Sequence, residues 1–152
     1  MATAITLGEG AAALAGGKGA ATAAIGQAEN AAARESAHAL AGRAQQLHSK
    51  LDTIAQAQRT TAVLETNNAR IVASGGRDLS PIQRAALSTG EIPAKLSGAH
   101  AEITVLHTAK QMGLTPQALG VGRPICSTCQ SAIEATGGVL TTNTTAIWTQ
   151  VR

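Results

Sequence analysis

The sequence is almost free of aromatic residues. Its 152 residues include no phenylalanine and no tyrosine, and Trp148 is its single tryptophan. A surface that stacks successive bases of a single strand on a row of aromatic rings is therefore excluded. The hydrophobic core must be built from leucine, isoleucine, valine and alanine.

Charge and long apolar runs are also scarce. Charged residues make up 14% of the chain and hydrophobic residues 44%, which predicts a globular domain rather than a highly charged disordered chain. No run of about eighteen apolar residues is present, so neither a transmembrane helix nor a membrane partner is expected. The N-terminal segment lacks the basic start of a signal peptide. The net charge of +3 suits a polyanionic partner and equally a solvated basic surface.

Only two cysteines are present, Cys126 and Cys129. Two cysteines are too few for a disulfide-stapled secreted scaffold. A Cys-x-x-Cys pair can be a redox pair, half of a structural zinc site or part of a catalytic metal site. His100 and Glu102 lie upstream and favour metal ligation. One histidine and two cysteines supply three zinc ligands and leave the fourth tetrahedral position to water, as in catalytic zinc sites.

The chemistry that follows from this set is hydrolytic. Zinc lowers the pKa of a bound water from about 15.7 toward 7, and Glu102 is the expected proton shuttle. Each residue also has a plainer explanation: His100 as a surface or capping histidine, Glu102 as a first-turn acid favoured by the helix dipole, and the cysteine pair as half of a structural site. The combination predicts zinc as the cofactor.

Composition divides the chain into two parts. Residues 1–29 are dominated by alanine and glycine and predict a linker or the remnant of a longer carrier polypeptide. A domain is expected over residues 30–152. Its first helix is predicted to begin with Asn30 as N-cap and to end before Arg59, because apolar residues recur there at spacings of three and four.

The remaining pattern predicts an α/β fold in the order α-β-β-α-β-α-β-β. Strands are expected at 60–65, 70–74, 119–121, 139–141 and 145–148, and residues 77–98 are expected to form a long connection with one short helix after Ser80. The sheet is predicted to be mixed and five-stranded, with helices packed on it. Its last two strands should form an antiparallel hairpin, since the connection between them is too short for a crossover.

Two predicted helices carry the candidate metal ligands. The first runs from near Ala99 to Met112 and places His100 and Glu102 in its first turn. Its inner face is expected to carry Ile103, Leu106 and either Ala109 or the stem of Lys110. The second begins at Cys126 and places both sulfurs on one face, because residues i and i+3 of a helix are neighbours. The helix N-terminus is also expected to lower the thiol pKa values.

The strings His100-Ala101-Glu102 and Pro124-x-Cys126-x-x-Cys129, in this element order, resemble the cytidine-deaminase-like superfamily, which has a three-layer fold. Within it, the chain looks like the deaminase domains of bacterial polymorphic toxins, which include DNA cytosine deaminases. The likeness covers roughly residues 43–149. It implies that the histidine and both cysteines bind zinc, that Glu102 is the general acid and base, and that the backbone of Ala101 and the carbonyl near Pro124 hold the Watson–Crick edge of the base.

The resemblance also implies a function and a setting. The expected reaction is conversion of cytosine to uracil in single- or double-stranded DNA. The expected setting is a secreted effector that acts in the cytoplasm of a target bacterium and is neutralised by an immunity protein. Further candidate substrate contacts are Ser74, Arg77, Arg123, Trp148 and Arg152. Two alternatives stay open: a deaminase of free cytidine or deoxycytidine nucleosides and nucleotides, and a non-enzymatic module with a structural zinc.

Overall fold

The computed structural model describes residues 17–149, with side chains described from residue 31 onward. The chain divides into two units, Met1–Ala32 and Ala33–Arg152. The second unit contains the sheet, the remaining helices and all the candidate site residues named above. Of these, Arg152 lies outside the described residues. None of the described helices is long and apolar enough to span a bilayer.

The first predicted helix is wrong at both ends. Helix α1 spans Gly17–His48, so it begins well before Asn30. Alanine is the strongest helix former, and the alanine-rich run outweighs its glycines. The helix also stops early, and a separate helix α2 spans Thr53–Gln58. The Asp52 side chain accepts a hydrogen bond from the Ala55 amide at 2.8 Å and thereby caps the start of α2.

The remaining described elements are six strands and three helices. The strands are β1 Thr61–Thr66, β2 Arg70–Ser74, β3 Glu91–Ala94, β4 Pro116–Val121, β5 Gly138–Thr142 and β6 Thr145–Trp148. The helices are α3 Pro81–Ala85, α4 Ala101–Gln111 and α5 Ser127–Ala135.

The sheet is mixed, as predicted, but it has six strands rather than five. The strand order is β3-β2-β1-β4-β6-β5, and only β2 and β3 run parallel. The predicted hairpins β1–β2 and β5–β6 are both present. The unpredicted strand is β3, in which Pro93 pairs with Val72. Proline indicated an irregular connection, yet an edge strand tolerates a residue that cannot donate on its open side.

Two hydrophobic clusters lie on opposite faces of the sheet, because neighbouring residues of a strand point to opposite sides. Leu64 of β1 belongs to the cluster shared with α4 and α5, and Val63 belongs to the cluster shared with α1. The domain therefore has three layers. The predicted inner face of α4 is confirmed at Ala109, which is fully buried, and Leu106 packs at its periphery; Ala101 and Val105, which are also fully buried, were not predicted.

Small residues let α1 lie directly on the sheet. A Cβ added at Gly120 of β4 would overlap the backbone of Leu40 and Ala41 in α1. Ala37 and Ala44, on the same side of that helix, are fully buried. This close approach explains how a core without phenylalanine or tyrosine fills its volume: backbones come together where other proteins insert rings.

Candidate metal centre and its cleft

Three metal-binding side chains meet where α4 and α5 begin. The ligand atoms of His100, Cys126 and Cys129 all lie within 4.8 Å of one another. Cys126 Sγ is 3.7 Å from His100 Nδ1. His100 and Cys126 are exposed, and Cys129 is fully buried. The structure thus brings together the three residues that the sequence selected as ligands, in a group that could hold a metal ion.

The helix ends explain why these side chains are available. His100 is the N-cap of α4 and Cys126 is the N-cap of α5, and neither side chain caps its own helix with a hydrogen bond. An N-cap side chain projects beyond the first turn, where it normally accepts a backbone N–H bond. Here the two caps face each other instead. The first-turn N–H groups of both helices add positive potential, which favours anionic ligands at this point.

Glu102 lies in the first turn of α4, two residues after the histidine. The residue is 3% exposed, and its Oε1 is buried without a hydrogen-bond partner among the described residues. Burial raises the pKa of this carboxyl, although a backbone hydrogen bond, the charge of His100 and the Cys129 thiol partly offset the effect. A buried acid with one unsatisfied oxygen at a cleft is the environment of a general acid or base.

The prediction of lowered thiol pKa values is wrong for Cys129. Burial and the negative charge of Glu102 raise the pKa of this thiol far above its ordinary value. These two effects outweigh the helix N-terminus. A metal ion binding here must therefore displace a proton from Cys129, so metal affinity should fall steeply as the pH is lowered.

The metal group borders a cleft of about 590 Å³, here called the metal cleft. This volume is typical of small-ligand sites. The cleft is lined by residues from the ends of several elements: Gln58, Arg59, Thr60, Gly75, Gly76, Gly98, Ala99, His100, Ala101, Glu102, Arg123, Pro124 and Cys126. The proposed acid and the metal group thus share one opening with Ala101 and Pro124, the two predicted contacts of the base edge.

The other predicted contacts lie in different places. Arg123 lines the metal cleft, and its Nη1 donates to the Arg59 carbonyl oxygen at 3.3 Å. Arg77 is exposed and lines a second cleft of about 500 Å³, here called the basic cleft, whose walls also include Asp78 and Lys95. Ser74 does not line the metal cleft; its hydroxyl is buried without a hydrogen-bond partner among the described residues.

Trp148 is a core residue rather than a wall of the metal cleft. It is 7% exposed and belongs to the cluster beneath α4 and α5. Its Nε1 donates to Thr136 Oγ1 at 2.9 Å, and its ring packs so closely on Gly138 that an added Cβ would meet it at 2.6 Å. The structure therefore does not bring Trp148 together with the other candidate contacts.

Several residues that line the metal cleft were not predicted from the sequence. Arg59 is the C-cap of α2, and the break before that helix, which places it, was not predicted. Gly75 and Gly76 follow β2; the Gly75 amide donates to the Thr60 carbonyl at 2.9 Å and the Gly76 amide to the Ala99 carbonyl at 2.7 Å. The Gly-Gly pair was the available signal, since paired glycines after a strand often mark a close backbone approach.

Comparisons of the chain with protein-family models, with curated proteins and with solved structures returned no match.

Proposed function

We propose that this domain is a zinc-dependent deaminase that converts cytosine in DNA to uracil. The observation that carries the proposal is the meeting of three zinc-type donors with a buried, unsatisfied carboxyl at one cleft. The resemblance of the His-x-Glu and Pro-x-Cys-x-x-Cys strings to nucleobase deaminases points to the same reaction.

The spacing of Cys126 and His100 supports zinc. Tetrahedral zinc with a Zn–S bond of about 2.3 Å and a Zn–N bond of about 2.05 Å separates sulfur from nitrogen by about 3.6 Å. The observed Cys126 Sγ–His100 Nδ1 distance is 3.7 Å. His100, Cys126 and Cys129 would hold the ion, and no fourth histidine, cysteine or acidic ligand joins them among the described residues. Bound zinc supplies activation of water at neutral pH.

Glu102 would carry the protons. Its carboxylate would accept a proton from the attacking water and deliver it to N3 of the ring. It would then take the second proton from the C4 hydroxyl and pass it to the departing amino group, which leaves as ammonia. Water adds at C4 and the C4–N4 bond breaks, so cytosine and water give uracil and ammonia. The raised pKa of this buried carboxyl suits a group that must both accept and return a proton near neutral pH.

The backbone around the metal cleft would hold the base. Ala101 is the first residue of α4, so its N–H has no partner within the helix and can donate to a ring carbonyl oxygen. The carbonyl near Pro124, which lines the same cleft, would accept from the exocyclic amine. Secretion into a target bacterium and neutralisation by an immunity protein, which the family resemblance implies, stay predictions.

A uracil-formation assay with single- and double-stranded oligonucleotides tests the proposal. The zinc-loaded chain should form uracil. Glu102→Gln should keep its zinc and lose at least about a hundredfold in rate, because general acid–base catalysis contributes about 10²–10⁴. Glu134→Gln, which removes the same charge from an exposed position on α5, is the matched control and should keep the wild-type rate.

Three outcomes would overturn the proposal. The absence of uracil at stoichiometric zinc-loaded protein would refute DNA as the substrate. Faster ammonia release from free cytidine or deoxycytidine monophosphate would favour the nucleotide deaminase. A Glu102→Gln variant with unchanged behaviour in every assay would indicate a structural zinc.

A further inference from the structure

We infer that the basic cleft is the binding site for the sugar–phosphate strand next to the target nucleotide, with Arg59 and Arg77 as its phosphate contacts. The inference rests on the proposed function, because it assigns the path of the substrate through the proposed active site. It names the substrate class as a strand of several nucleotides rather than a free nucleotide.

The two clefts are neighbours that share a wall. Arg59 and Gly76 line both of them. The loop that leads into His100 contributes to each, with Ser97 on the basic cleft and Gly98 on the metal cleft. Volumes of about 590 and 500 Å³ give each cleft the size of a small-ligand site. A substrate that extends beyond one nucleotide therefore has a second site directly beside the first.

The ridge between the clefts is bare backbone. Gly76 and Gly98 have φ values of +78° and +77°, and the Gly98 amide donates to the Gly76 carbonyl at 3.4 Å. A Cβ added to either glycine would meet no atom within 4 Å, so open space lies beside both. No side chain of these residues obstructs a strand that crosses from one cleft to the other.

Three arginines beside this path have no acid partner among the described residues. Arg59, Arg77 and Arg123 form no ion pair with any carboxylate of the described residues. Asp78 is the acid of the basic cleft, and it is already shared between Arg84 at 3.5 Å and Lys95 at 3.7 Å. Arg123 donates to the Arg59 carbonyl oxygen, so its guanidinium is held beside the Arg59 backbone. Uncompensated, positioned cations of this kind attract a polyanion.

Salt-dependent binding measures these contacts directly. The probe is a fluorescent single-stranded DNA 12-mer that contains one cytosine, and the protein is the zinc-loaded Glu102→Gln chain, which should not turn it over. Arg59→Gln combined with Arg77→Gln should weaken binding at least about tenfold. It should also reduce the magnitude of the negative slope of log K against log salt by about 1.4, since each phosphate contact contributes about 0.7 on a single strand.

A charge-matched double variant provides the control. Lys50→Gln combined with Lys110→Gln removes two exposed cations that line neither cleft. Its affinity and slope should equal those of the Glu102→Gln parent. Melting temperatures of all variants should agree, which separates lost contacts from lost folding. Equal losses in the two double variants would overturn the inference, because they would indicate a diffuse charge effect.

Competition with deoxycytidine monophosphate adds a second test. The free nucleotide reaches only one phosphate site, so it should displace the 12-mer at least about tenfold less effectively than unlabelled 12-mer. Equal potency would overturn the inference. Failure of the proposed function looks different: binding through Arg59 and Arg77 without uracil from the wild type supports the strand site and refutes deamination. If the wild type forms uracil but Arg59 and Arg77 are dispensable for binding, deamination is supported and the strand site is refuted.

Discussion

The metal cleft and a cleft at the opposite end of the β1–β2 hairpin are similar in size, but they differ in whether their charged side chains are paired. The second one, here called the paired cleft, has about 510 Å³ and is lined by Arg43, Glu65, Arg70 and Glu91 among others. Both of its arginines are bonded to its acids: Arg43 donates to both carboxylate oxygens of Glu91 at 2.7 and 3.0 Å, and Arg70 donates to Glu65 at 2.7 Å.

The metal cleft leaves such groups without partners. Among the described residues, the buried Glu102 Oε1 has no hydrogen-bond partner, and Arg59 and Arg123 have no acid partner. Volume alone therefore does not distinguish the two clefts. What distinguishes them is unmet bonding capacity, which a folded domain retains where a ligand supplies the missing partner. The paired cleft serves folding, since Arg43 also donates to the Ala86 carbonyl at 2.7 Å and so ties α1 to the chain before β3.

Arg43→Ala should give the largest effect on stability. The Glu91 side chain is only 3% exposed, and removal of its partner would leave a buried charge without compensation. We expect a loss of about 3 kcal/mol in the free energy of unfolding, measured by urea denaturation. Zinc content should stay unchanged. A loss below about 1 kcal/mol would show that the pair does not hold α1 to the chain before β3.

Lowering the pH should weaken the Arg43–Glu91 pair, with a smaller loss of stability than the Arg43→Ala substitution. Burial by itself would raise the pKa of Glu91, but hydrogen bonds from Arg43 and the Ser88 amide, together with the charges of Arg43 and Arg70, bring it below its ordinary 4.5. A carboxyl with a lowered folded-state pKa stabilises the fold above its unfolded-state pKa and loses that contribution as the pH falls.

The pH dependence of unfolding measures that contribution. Between about pH 5 and the acid limit of folding, wild-type stability should decline more steeply than that of Glu91→Gln, which lacks the titrating group. Parallel curves for the two proteins would contradict the lowered pKa.

Arg70→Gln should give the smallest effect. Its pair with Glu65 is partly exposed, with 43% of the Arg70 side chain accessible, and pairs of this kind contribute about 0–1 kcal/mol. Affinity for the single-stranded 12-mer should not change either, because the charge of Arg70 is already satisfied. A loss of affinity as large as that of the Arg59→Gln, Arg77→Gln double variant would remove the distinction between the paired cleft and the metal cleft.

The ligands of the metal centre could be predicted from the sequence because their spacing is local. Two cysteines three residues apart at a helix start share a face whatever the rest of the fold does. Their proximity to His100 depends on two helix ends meeting, and this followed from the motif resemblance rather than from periodicity.

Other features depended on tertiary contacts that no local pattern contains. Strand β3 was not predicted because Pro93 argues against a strand; the proline is tolerated only because this strand lies at an edge of the sheet. Arg59 entered the metal cleft because Asp52 starts a new helix where the apolar period predicted continuation. The sequence predicts Trp148 as a contact of the target base because it is the single aromatic residue, but packing in the core leaves it only 7% exposed. On α4 the burial of Ala109 was predicted, but that of Ala101 and Val105 depends on packing against the sheet.

The most direct test of the account is the zinc content of the purified chain, measured by elemental analysis beside a thiol titration. The account predicts about one zinc per wild-type chain and almost none in His100→Ala, Cys126→Ser or Cys129→Ser, while Glu102→Gln keeps its metal. A folded wild-type chain that takes up no zinc, or three ligand variants that each retain a full equivalent, would contradict it.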